Sequence, residues 1–156
     1  MGAGVEELRH AGQASLASSL VTSYESFGGS GRGDQATEGV RAVGMLPPAD
    51  YRALLRRARV FVCAPRREDY GLAQLEALAD GCLLVTTPAP GPYAALPIAR
   101  ELDARLVGED LGAALRAALD TPAPGYATRA LDALAPFRRE AVDRMVAERL
   151  LPRLLA

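Results

Sequence analysis

Seven residues separate Glu68 from Glu76 in the stretch Glu68-Asp69-Tyr70-Gly71-Leu72-Ala73-Gln74-Leu75-Glu76. Gly71 has the character of a helix start, which places Glu68 in the loop ahead of that helix and Glu76 inside it. The first N–H groups of a helix have no intrahelical acceptor, and the helix dipole makes that end positive. Such an end attracts phosphate. A glycine there lets the backbone approach a ligand closely, because no Cβ intervenes. A carboxylate accepts through both oxygens, so each glutamate suits the hydroxyls of a sugar or the vicinal diol of a ribose. Glu76 lies about 7.5 Å along a helix axis from Gly71, a span that fits a ribose when a diphosphate rests at the helix end. These residues predict a phosphorylated, polyhydroxylated ligand of the nucleotide-sugar kind.

The elements needed to hold such a site are legible around it. Val60-Phe61-Val62-Cys63 reads as a strand buried on both faces. A helix is expected from Gly71 to Ala79, stopped by Gly81, and Leu83-Leu84-Val85-Thr86 is the next buried strand. Upstream, Pro47-Pro48 sets a first helical turn with Asp50 near its positive end, and Tyr51, Leu54, Leu55 and Ala58 recur at helical spacing. Further helices are expected over Val5–Ser19, Tyr93–Leu102, Asp110–Leu119 and Ala127–Leu155. Further strands are expected over Leu20–Tyr24, Val40–Val43 and Ala104–Val107, and Gly28–Asp34 reads as a glycine-rich loop. Strands alternating with helices imply an α/β fold with parallel strands and crossover helices on both faces. The expectation is a single Rossmann-like domain over residues 1–156, with a sheet of four to five strands. Within it, residues 1–39 form a divergent N-terminal segment, 40–120 the core and 121–156 the C-terminal helices. Ligands in such sheets sit beyond the carboxyl ends of the strands, the edge to which Glu68–Gly71 belongs.

Composition narrows the chemistry. All 18 lysine-plus-arginine cations are arginine, a bias in keeping with GC-rich coding, and the net charge is −1. No Schiff-base or P-loop lysine is available, and no bulk field favours nucleic acid. His10 is the sole histidine, so no His-rich metal site is expected, and neither a metal nor another cofactor is called for. Cys63 and Cys82 stand in apolar runs and read as small buried hydrophobes of a reducing compartment. No apolar run has the length of a membrane span, and the expected location is cytoplasmic.

The run from Val43 to Leu119 resembles the donor-binding domain of retaining GT-B glycosyltransferases, the glycosyl transferases group 1 family. The matching landmarks are Gly44 ahead of the helix at Asp50–Ala58, Val60-Phe61-Val62, the E-x7-E motif of Glu68 and Glu76, Ala77-Leu78-Ala79 before Gly81, and Leu84-Val85-Thr86-Thr87. The resemblance implies one half of a GT-B fold that transfers a hexose from a nucleotide diphosphate sugar to an acceptor hydroxyl. It implies that Glu68, the candidate catalytic residue, contacts the transferred sugar and that Glu76 contacts the ribose. Gly71 and Leu72 would face sugar and phosphates, with Asp69, Tyr70 and Gly44 completing the substrate-binding set. By itself Asp69 reads as a cap or surface residue. The chain departs from the pattern where Pro90-Gly91-Pro92-Tyr93-Ala94 replaces a loop that normally carries an acidic residue. It also lacks the arginine and lysine that neutralise the diphosphate in the family, a role left to Arg66 and Arg67 or unfilled.

One domain leaves no room for an acceptor-binding lobe. The expected partners are therefore a nucleotide sugar and a separate acceptor lobe or a second copy, with no nucleic acid and no integral membrane segment. A non-catalytic nucleotide-binding or scaffold remnant of the same fold is the alternative. A sugar-nucleotide epimerase would need more acid–base residues than the chain offers.

Overall fold

The computed structural model describes residues 19–22 and 43–155. Among them, β1 (Ser19–Thr22), β2 (Ala58–Cys63) and β3 (Leu83–Thr86) form one sheet in the order β1-β2-β3. Both pairings are parallel, with Val60 opposite Leu83 and Cys63 opposite Thr86. Parallel neighbours need crossovers. Helix α1 (Pro48–Arg57) leads into β2, and α2 (Leu72–Ala79) joins β2 to β3. All of β3, and all of β2 except Arg59, is buried, as a sheet covered on both faces requires. Leu55 from α1, Phe61, Leu78 from α2, Leu84 and Leu106 make the fully buried centre. The α/β, Rossmann-like arrangement is the expected one.

The sheet is smaller than expected, with three strands among the described residues rather than four to five. Ala104–Leu106 is a 3-10 turn, and beside it only Val107 bridges to Thr86. Asp103 accounts for the difference. Its Oδ1 accepts from the Arg105 amide at 3.1 Å, and its Oδ2 holds the Arg105 guanidinium at 2.7 Å. Side-chain bonding to the local backbone competes with a ladder. The same guanidinium holds the Asp103 carboxyl below its ordinary pKa. Val43 is not in a strand, and the rest of Val40–Val43 lies outside the described residues, as does the Gly28–Asp34 loop. So does the helix expected over Val5–Ser19, except for Ser19, which opens β1.

The remaining elements follow local rules. Helix α2 ends in a Schellman motif: Cys82 N–H donates to Ala77 O at 2.9 Å, and Gly81 N–H to Leu78 O at 3.2 Å, with Gly81 at φ +91°. Helix α3 (Ala95–Asp103) tolerates Pro97 because that residue lies in the first turn, where its N–H would have no partner. Asp110 caps α4 (Leu111–Asp120) by accepting from Ala113 N–H at 2.8 Å. Helix α5 (Tyr126–Ala133) packs back on the core. A 3-10 turn (Ala135–Phe137), α6 (Arg139–Met145), a π turn (Val146–Leu150) and α7 (Leu151–Leu155) follow. From Arg139 to Leu155 no residue is buried. Cys63 and Cys82 are buried free thiols. Among the described residues, no helix is long and apolar enough to cross a membrane.

Candidate functional site

Because β2 and β3 are parallel neighbours, the loops that follow them leave the sheet at one edge. Hydrogen bonds stitch the two loops together. Glu68 N–H donates to Pro90 O at 3.1 Å, Ala94 N–H to Tyr70 O at 3.0 Å, and the Thr87 hydroxyl to Pro65 O at 3.3 Å. Gly91 makes this approach possible. Its φ is +117°, and a Cβ there would collide with the carbonyl oxygen of Glu68.

Gly71 stands where the sequence places it, as the N-cap of α2, with left-handed φ of +88°. Its missing Cβ is used by the protein itself. A Cβ would come within 2.7 Å of the Tyr93 ring, which is buried against it. The Tyr93 hydroxyl lies 2.8 Å from Thr86 Oγ1, and the Cys63 thiol donates to the same oxygen at 3.2 Å. Burial pushes both the Tyr93 phenol and the Cys63 thiol above their ordinary pKa values, so this cluster beneath the loop is neutral.

Glu68 braces the turn that leads into the helix. Its Oε1 accepts from Gly71 N–H at 2.9 Å and from Tyr70 N–H at 3.2 Å, and its Oε2 accepts from Gln74 Nε2 at 2.9 Å. A carboxylate at the positive end of a helix is favourable. The amide of the N-cap, Gly71, is therefore taken by Glu68, together with the Tyr70 amide ahead of it. The amides of Leu72 and Ala73, in the first turn, remain without an intrahelical acceptor.

Glu76 is half-buried further along α2. It faces α1: burial first, and then the Glu76 carboxylate, push the Tyr51 phenol up to about 12. Nearby, Arg52 of α1 grips Asp80 at the end of α2, with Nε 2.6 Å from Oδ2 and Nη2 2.9 Å from Oδ1. This pair fixes the two helices side by side.

The other predicted residues are distributed as follows. Arg67 pairs with Asp69 at 3.0 Å, and both are exposed. Arg66 is exposed beside them. Tyr70 turns its ring edge-on to Phe137 of the C-terminal segment, with 6.4 Å between centroids. Leu72 is exposed at the helix start. Gly44, at φ +59°, lies in the exposed lead-in to α1, and among the described residues no hydrogen bond ties it to either glutamate. Gln74, Gly91 and Tyr93 were missed as site-building residues. A glutamine among the apolar residues of α2, and a glycine between two prolines, were the signals available.

The arrangement offers free first-turn amides, a fixed carboxylate beside them and a second carboxylate on the same helix. A family model described as glycosyl transferases group 1 matches residues 9–121. The match begins well upstream of Val43, so it takes in β1 and most of the segment read as divergent. No curated protein and no solved structure matches the chain.

Proposed function

The chain belongs to the glycosyl transferases group 1 family, and from that premise we propose that it is the nucleotide-sugar donor lobe of a retaining GT-B glycosyltransferase. The observation that carries this reading is the start of α2 at the carboxyl edge of a parallel sheet, with Glu68 fixed against it and Glu76 further along. The diphosphate rests against the first-turn amides of Leu72 and Ala73, where the helix dipole favours its charge. Glu68 orients the hexose and Glu76 holds the ribose diol. The helix end, with Arg66 and Arg67 beside it, stabilises the leaving diphosphate as the hexose passes to an acceptor hydroxyl. The acceptor is bound by a separate lobe or by a second copy.

A second reading has its own observation. Glu68 already has three protein donors, and Arg67 is paired with Asp69. A remnant that keeps the fold without turning over donor would look like this. Calorimetric titration with UDP-, GDP- and ADP-sugars, beside Glu76→Ala, separates the two. Saturable binding of one class, lost in Glu76→Ala, is the expected result. Absence of binding for all three contradicts the donor-lobe reading. Binding without turnover, even with a supplied acceptor lobe, favours the remnant.

A further inference from the structure

Gln74 is a long polar side chain only 4% exposed, set in the otherwise apolar inner face of α2 with Leu75, Ala77 and Leu78. A buried amide needs a partner, and the Gln74 side chain finds one in Glu68. Its Nε2 donates to Glu68 Oε2 at 2.9 Å. Beneath the loop, and apart from this pair, Cys63 donates to Thr86, and Thr86 bonds to Tyr93.

The geometry points to Gln74 as a positioning residue that sets the orientation of Glu68 toward the sugar portion of a donor. The inference rests on the donor-lobe reading and deepens it, because it assigns discrimination between a nucleotide and its sugar conjugate to one side chain. Backbone amides hold only Oε1 of Glu68. The second oxygen, and with it the plane of the carboxylate, is fixed by Gln74 alone among the described residues. A carboxylate held at both oxygens meets sugar hydroxyls in one orientation. Held at one oxygen, it swings about its last bond and loses that orientation. Glu76, which serves the ribose, has no hydrogen bond to Gln74 among the described residues, so the nucleotide part of the ligand is indifferent to the change.

The test uses the full chain and the two ligands, nucleoside diphosphate and nucleotide sugar, of the base that binds best. Gln74→Met keeps the length and removes the donor. It is expected to weaken nucleotide-sugar binding about tenfold, the loss of one charge-assisted hydrogen bond, while the diphosphate binds as before. Gln74→Glu sets two carboxyls together at neutral pH and is expected to bind the sugar conjugate weakly there. Lowering the pH lets one proton be shared between them and restores binding, a recovery absent from wild type and from Gln74→Met. This second variant keeps the test open if the methionine variant does not fold. Unchanged sugar binding in folded Gln74→Met, equal loss of both ligands, or no pH recovery in Gln74→Glu overturns the inference while donor binding by wild type stands. Wild type that binds neither ligand overturns the donor-lobe reading itself, and the inference falls with it.

Discussion

Glu68 serves the fold as well as the proposed site, so its removal reads out first in stability. Glu68→Ala strips the acceptor from two backbone amides and leaves the buried Gln74 amide unpaired. The expected loss is about 1–3 kcal/mol in urea unfolding. Glu76 is different, because its neighbour is a phenol on another helix. The Tyr51 phenol is raised to about 12 by burial first and by Glu76 second. Glu76→Gln should therefore move Tyr51 ionisation downward in a spectrophotometric titration, with the burial effect remaining. The sign for stability follows from linkage. Tyr51 and Tyr126 are each raised to about 12 from an ordinary 10.0. Below about pH 10 both states keep these protons, and stability is unaffected. Between about 10 and 12 the unfolded chain ionises first, so stability falls across that window. Alkaline unfolding followed by circular dichroism should show loss there, and a Tyr126→Phe variant should show less of it.

At the scale of elements, three glycines with positive φ make a graded comparison. Gly81 has open space where a Cβ would go, Gly71 has the Tyr93 ring, and Gly91 has the backbone of Glu68. An alanine at Gly81 should cost about 1–2 kcal/mol, the strain of a left-handed residue alone. At Gly71 the ring must also move, and at Gly91 a loop backbone must move. The expected order of destabilisation in urea is therefore Gly91→Ala above Gly71→Ala above Gly81→Ala. The same comparison explains what the sequence could reveal. Gly71 and Gly81 flank an eight-residue helix, and local rules of helix starts and stops find them. Gly91 and Tyr93 matter because their loop lies on another strand's loop, a contact about twenty residues away that no local pattern encodes. Ala104–Val107 is not a strand for a local reason: Asp103 bonds the amide and guanidinium of Arg105, two residues on, in place of a ladder. Buried strands β2 and β3 were legible because unbroken apolar runs between turns have few alternatives.

For the whole molecule, the core closes before the last helices begin. No residue from Arg139 to Leu155 is buried, while Leu150, Leu151, Leu154 and Leu155 are exposed. Truncation after Arg138 keeps the Tyr70–Phe137 contact and every buried residue among those described. It should change unfolding free energy by less than about 1 kcal/mol. The family match stops at residue 121, short of that segment. What positions the proposed site is therefore the parallel pair β2 and β3, with α2 between them. The most direct measurement of where a donor sits is amide chemical-shift mapping on the isotope-labelled chain, titrated with the nucleotide sugar that binds. The largest shifts are expected at Gly71, Leu72 and Ala73, with a second group around Glu76 and Tyr51. Shifts centred on the groove between α3 and α5, at Ile98, Glu101 and Arg129, with α2 silent, would contradict that placement.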